Sequence, residues 1–217
     1  MSSTGVGCAG AHRTGKTTLA QAFALRSDIP FVRTSASEVF ELLGKDPKAD
    51  YCIESRIVIQ EAILYAFERQ YAHAAGQSAV WVSDRTPIDL ASYMLADVQR
   101  ATLAGQPELA QYVVNYVKRC IESTNKWFAT VVLVQPGIPL VEAVGKAGAC
   151  AANIEHINLI QAGLLLSENL SCGHYMIPRQ FTLLEDRLQA LGQAALCTIN
   201  RGQQIVQFRQ DNNLALH

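Results

Sequence analysis

Short apolar runs alternate along this chain with longer segments in which apolar residues recur at helical spacing. Gly5 to Ala9 reads as a strand of small residues entering a glycine-rich turn. Lys16 to Leu25, with Leu19 and Phe23 in phase, reads as the helix that follows. Ile29 to Val32 is a second short strand, and Ser35-Ala36-Ser37-Glu38 behind it has the capping-box spacing that opens a helix. From Tyr51 to Tyr71, the residues Ile53, Ile57, Leu64, Phe67 and Tyr71 share one helical face. The runs Ala79-Val80-Trp81-Val82 and Val131-Val132-Leu133-Val134 lack polar alternation, as expected for strands covered on both faces. Thr86-Pro87-Ile88-Asp89 supplies an N-cap, a proline at the first helical position and an acid at the third. Pro87 to Trp127 is therefore expected to hold two helices, split near Gly105-Gln106-Pro107. Further on come a small-residue loop at Gly145 to Ala149, a helix marked by Ile154, Ile157, Ile160 and Leu164, and a fifth strand at Tyr175-Met176-Ile177. Thr182-Leu183-Leu184-Glu185 has capping-box spacing again, and fraying is expected from about Gln207.

Strands alternating with helices predict an α/β fold: three layers, with a five-stranded parallel sheet flanked by helices and joined by right-handed crossovers. The 217 residues are enough for one such domain, 1–217. The formal charge of −1 argues against a protein that coats nucleic acid indiscriminately, though a local basic groove is compatible with it. No run approaches the ~20 apolar residues of a membrane span. Met1 to Gly5 lacks the basic start and apolar run of a signal peptide. The cysteines (Cys8, Cys52, Cys120, Cys150, Cys172, Cys197) form no C-x-x-C pair, and the histidines are equally scattered. Reduced, mostly buried thiols in a cytoplasmic protein are expected, rather than zinc ligands or disulfides.

Gly10-Ala11-His12-Arg13-Thr14-Gly15-Lys16-Thr17 meets every required position of the phosphate-loop pattern, between a strand and a helix, where that motif belongs. Backbone N–H groups and the helix N-terminus would cradle phosphates, Lys16 would reach the β- and γ-phosphates, and the Thr17 hydroxyl would ligate Mg2+. The overlapping Gly5-x-Gly7-x-x-Gly10 pattern of dinucleotide sites is set aside, because only four residues precede Gly5. Asp84-Arg85 follows the strand at Ala79 to Val82, which puts it at the same end of the sheet as the loop. An acid there holds Mg2+ or accepts a proton, and an arginine there grips a phosphate. Asp89 fits a capping role, and His12, a lone loop histidine, fits solvent as well as it fits a substrate contact.

With these residues in view, the chain resembles the P-loop kinases of nucleosides and nucleotides, thymidylate kinases in particular. The phosphate loop with arginine at position 13 carries part of the resemblance. Phe31-Val32-Arg33-Thr34 is similar to the segment bearing that family's substrate-phosphate arginine. Asp84-Arg85-Thr86-Pro87-Ile88-Asp89-Leu90-Ala91-Ser92-Tyr93 is similar to its Asp-Arg segment leading into a helix. The combination is also similar to small P-loop kinases and ATPases of tailed bacteriophages, some relatives of which phosphorylate a hydroxymethylated pyrimidine within DNA.

The resemblance implies ATP and Mg2+, with Lys16, Arg13 and Asp84 catalytic and Thr17 and Asp84 holding the metal. Gly10, Ala11, His12, Arg13, Thr14, Gly15, Lys16, Thr17 and Thr18 would bind the nucleotide, and Arg33, Arg85 and Arg56 the acceptor. It further implies an acceptor-binding helical insert at about 33–75 and a lid at about 140–152. Such kinases neutralise the transferred phosphoryl group with arginines from the lid or the loop. No arginine lies between Arg119 and Arg179, so the lid offers Lys146, and Arg13 is expected to supply the charge. His12 stands where arginine-bearing loops usually carry an aspartate, so the sugar contact of that aspartate does not carry over.

The expected function is γ-phosphoryl transfer to a nucleotide-type acceptor, a deoxynucleoside monophosphate or a nucleoside. One alternative is a kinase of a hydroxymethylated pyrimidine within DNA, for which Arg56, Arg69, Arg100, Lys118 and Arg119 would line a groove. Another is a regulatory P-loop NTPase without a small-molecule acceptor; no glutamate follows Asp84 as in many motor ATPases, which counts against it. The partners expected are a nucleotide or nucleoside substrate, with DNA as the alternative substrate, no membrane, and a homodimer as an admissible assembly. The location expected is cytoplasmic, in the host cytoplasm if the chain is phage-encoded.

Overall fold

The computed structural model of the protein describes residues 4–47, 49–98, 103, 105–140 and 150–211. At its centre is β1 (Thr4–Ala9), whose glycines answer to packing. A Cβ on Gly5 would come within 2.4 Å of the Trp127 carbonyl oxygen, and one on Gly7 within 2.4 Å of the Thr86 methyl. These two glycines make room for bulky neighbours, so the decoy dinucleotide pattern has a structural origin.

The remaining elements follow in order: α1 (Lys16–Ser27), β2 (Phe31–Val32), α2 (Ala36–Leu42), α3 (Ile53–Gln77), β3 (Val80–Ser83), α4 (Pro87–Asp97), α5 (Pro107–Trp127), β4 (Phe128–Val134), α6 (Ala151–Leu165), β5 (Gly173–Ile177) and α7 (Leu184–Asp211). The strands form one parallel five-stranded sheet in the order β2-β3-β1-β4-β5. Because alternate residues face opposite ways, β1 sends Val6 and Cys8 toward α1 and α7, where Leu19, Phe23, Leu188 and Leu191 cover them. The other face packs on α3, α4 and α5 through an aromatic group. Tyr71 stacks on Trp81 at 5.5 Å between centroids, and Phe128 meets Tyr71 edge-on at 5.0 Å. The result is the three-layer α/β architecture that the alternation of patterns predicts.

Local signals hold where nothing stronger competes. Ser35 accepts the Glu38 N–H at 3.3 Å and starts α2, and Thr86 with Asp89 closes a capping box on α4. The box expected at Thr182 and Glu185 does not form. In its place α7 begins at Leu184, with the Arg187 N–H bonding the Leu183 carbonyl, and Glu185 turns to a two-pronged ion pair with Arg26 at 2.8 and 2.7 Å. β4 starts at Phe128, earlier than its apolar run suggests, and α3 continues to Gln77. Only some of the cysteines are buried: Cys8 and Cys120 are, whereas Cys52, Cys150 and Cys197 are exposed, and all six are free thiols. The expected loop at Gly145 to Ala149, Lys146 within it, and Arg100 lie outside the described residues. Among the described residues no helix is long and apolar enough to cross a membrane, and no cluster of three or more His, Cys, Asp or Glu side chains could hold a metal.

Candidate active site

β1 ends in the middle of the sheet, and the chain leaves it at Gly10, where a Cβ would lie 2.6 Å from the Val134 carbonyl oxygen. It then passes through two left-handed residues, Arg13 (φ 66°) and Gly15 (φ 86°), before α1 opens at Lys16. Several carbonyls of this loop are engaged on the protein side. Those of Gly10 and Ala11 accept from the Lys16 ammonium, the latter at 2.7 Å. Ala11 also accepts the Thr14 hydroxyl at 3.0 Å, and the Thr14 carbonyl accepts Arg187 Nη1 at 2.7 Å. Since the C=O and N–H of a trans peptide point opposite ways, the Gly15 N–H faces the mouth of the loop. Burial pulls the Lys16 ammonium down to about 8, while Asp89, 4.0 Å away, favours its charge.

The end of β3 supplies the second half of the site. Asp84 is buried; its Oδ2 accepts the Thr17 hydroxyl at 2.7 Å, and its Oδ1 accepts the N–H and hydroxyl of Thr34 at 3.0 and 3.2 Å. One carboxylate thus ties the start of α1 to the residue behind β2. Thr17 is exposed and Asp84 lies buried behind it; hydroxyl and carboxylate are hard oxygen donors, a set that fits Mg2+. The Arg85 carbonyl is held by the hydroxyls of Tyr71 (3.0 Å) and Ser83 (2.8 Å). Burial disfavours the guanidinium charge, but Asp89, Tyr93 and Asp84 outweigh it, and Arg85 remains a strong cation.

Asp89 does more than cap. It is fully buried; Oδ2 accepts the Thr86 N–H and hydroxyl at 2.8 and 3.0 Å, while Oδ1 accepts the Gly10 N–H at 3.2 Å and Gln161 Nε2 at 3.3 Å. Burial raises its pKa, against the opposing pull of Lys16 and Arg85. Tyr93, one turn on, accepts the His12 N–H at 3.2 Å and lies 3.3 Å from His12 Nδ1, so His12 is held against α4. In the sequence the capping spacing was the single sign of Asp89, and it concealed the link to the loop. Arg187 carried no sequence signal at all.

The predicted residues fall into separate groups. Lys16, Thr17, Asp84 and Arg85 form one electrostatically connected cluster. Arg13 lines an apolar groove of about 520 Å³ beside the loop, with Thr14, Pro136, Ile138, Leu140 and Ile154. Thr18 is exposed on the first turn of α1. Arg33 is exposed and lines a different groove, between β2 and α3, with Arg69 and His73; no residue of the phosphate loop, Asp84 or Arg85 lines it. Arg56 is paired with Asp97 at 3.6 Å and lies over the Tyr51 ring. Arg119 is paired with Glu61, so two of the cations considered for a DNA groove are matched by carboxylates.

Comparison with known proteins agrees with the fold. Residues 6–131, more than half of the chain, match the AAA domain family. No curated protein matches the chain by sequence. Among solved structures it is similar to thymidylate kinase from Candida albicans, at a TM-score of 0.65 and 12% identity over 92% of this chain and 93% of that one. Deoxyadenosine kinase from M. mycoides with bound dCTP gives 0.57 and 13%, over 88% and 98%. The NadR protein in complex with NR gives 0.63 and 15%, over 88% of this chain and 49% of that one, so the chain spans about half the length of NadR. At these identities the likeness is one of fold. The chain belongs to the AAA domain family and carries its phosphate loop on the fold of the P-loop nucleoside and nucleotide kinases.

Proposed function

We propose that this chain is an ATP- and Mg2+-dependent phosphotransferase acting on a nucleotide-type acceptor, a deoxynucleoside monophosphate ahead of a nucleoside. The observation that carries the reading is the half-buried Arg85, the residue after the Asp84 that binds the Thr17 hydroxyl of the phosphate loop. A second anion site there is needed to hold a phosphorylated acceptor and is not needed for transfer to water. The residue after Asp84 is this arginine and not a glutamate, which further disfavours the regulatory NTPase. Neighbours of the same fold that are thymidylate and deoxyadenosine kinases support a nucleotide-type ligand.

In this reading Lys16 leaves the Gly10 and Ala11 carbonyls for the β- and γ-phosphates. Thr17 and Asp84 would hold Mg2+, which would supply neutralising charge to the phosphate oxygens. Asp84 is already committed to Thr17 and Thr34, which suits it to fixing that end of the site rather than to taking a proton. An acceptor whose oxygen is already anionic therefore fits better than a hydroxyl. Arg85 grips the acceptor phosphate, and Arg13 brings charge to the transferred group. The α2 and α3 region, about 33–75, forms the acceptor wall; the lid expected at about 140–152 lies largely outside the described residues. ATP consumption should be measured with deoxynucleosides, their monophosphates, and duplex DNA carrying thymine or hydroxymethyluracil. A monophosphate that accelerates turnover and gains phosphate is the expected result. Phosphate appearing on DNA would point to the modified-pyrimidine kinase, and slow ATP loss indifferent to every acceptor would sink the kinase reading.

A further inference from the structure

Arg187, in the first turns of α7, has an environment that packing alone does not explain. Its side chain is 3% exposed. Nε donates to the Phe181 carbonyl at 2.5 Å and Nη1 to the Thr14 carbonyl at 2.7 Å, while Nη2 is buried with no hydrogen-bond partner. Among the described residues no carboxylate forms an ion pair with it, and burial alone shifts its pKa, downward. A buried cation without a counter-ion is costly, and proteins retain one where an anion will meet it. Thr14 lies between the two left-handed residues of the phosphate loop, and a Cβ on Gly15 would come within 3.4 Å of Nη1, so the guanidinium lies flush against the back of the loop.

We propose that Arg187 is a positioning residue for the phosphate loop and that the polyphosphate of the bound nucleotide is its counter-ion. The Thr14–Gly15 peptide stands between them, its carbonyl toward the guanidinium and its N–H toward the phosphates. The guanidinium polarises that peptide and fixes its direction, and in a dry setting its charge is felt across one peptide unit. The benefit therefore grows with the number of phosphates on the ligand. This inference rests on the nucleotide-binding reading of the loop.

Direct binding tests it without reference to turnover. Dissociation constants for ATP, ADP and AMP are measured by calorimetry on the wild type, Arg187→Gln and Arg187→Lys. Glutamine can still donate to Thr14 but carries no charge; lysine keeps the charge without the two-pronged geometry. The preference for ATP over AMP should fall by about tenfold in Arg187→Gln and stay within about threefold of wild type in Arg187→Lys. An unchanged preference in Arg187→Gln, with only the melting temperature altered, would show a purely structural strut and overturn the proposal. Should the glutamine variant not fold, Arg187→Lys decides: a preference lost although the charge is kept overturns it, and a preference retained supports it. Wild-type protein that binds no triphosphate would instead refute the nucleotide reading, a separate failure.

Discussion

Lys16 is pulled two ways, by burial toward neutrality at about 8 and by Asp89 toward its charge. Phosphates favour the charged form, so the complex holds a proton that the free protein gives up above about pH 8. ATP affinity, measured without acceptor, should accordingly weaken as pH rises past about 8, approaching tenfold per unit while the two pKa values bracket the pH. Lys16→Ala should abolish turnover and remove that pH dependence. Arg13→Ala should lower kcat by about 10³ and raise the ATP KM much less, because its charge is called on at the transferred group. Wild-type rates in that variant would mean that the charge comes from elsewhere. Asp84→Asn should nearly abolish turnover, since the Thr17 hydroxyl and the Thr34 N–H lose the carboxylate that joins them.

Among the elements, α4 braces the phosphate loop, with Asp89 on Gly10 and Tyr93 on His12. Thr86→Ala should cost about 1 kcal/mol, as for a lost cap. Asp89→Ala should cost about 3 kcal/mol or more, because the Gly10 and Thr86 N–H groups are left buried without partners. Urea denaturation checks both, and equal losses would mean that the link to Gly10 carries nothing. What the sequence made legible was local: the phosphate loop, the strand runs and the cap of α4 are each spelled out within a few neighbouring residues. The partners that complete the site are remote. Gly10 meets Asp89 across 79 positions and Thr14 meets Arg187 across 173, and no periodicity records such meetings. Distance also explains the failed box at Thr182, where Arg26 from α1 claims Glu185. Arg33 and Arg56 were legible as cations, but the direction each would face was not.

For the molecule as a whole, the tightest constraint is the seat of β1 between β3 and β4, with Trp81, Tyr71 and Phe128 crowding one of its faces. Gly7→Ala should destabilise the fold by about 1–3 kcal/mol, since its Cβ would meet the Thr86 methyl at 2.4 Å and Phe128 Cδ1 at 2.9 Å. Thermal or urea unfolding measures it, and a neutral result would show that the sheet gives way there. The strand order also has a temporal consequence. β1 is made before both its neighbours, Val80–Ser83 and Phe128–Val134, so every element through β4 must be translated before both its edges are paired. Until then an apolar segment with open edges has to be shielded from other nascent chains. Capture of a nucleotide at the proposed site would therefore come late in biosynthesis, after β4 has joined the sheet.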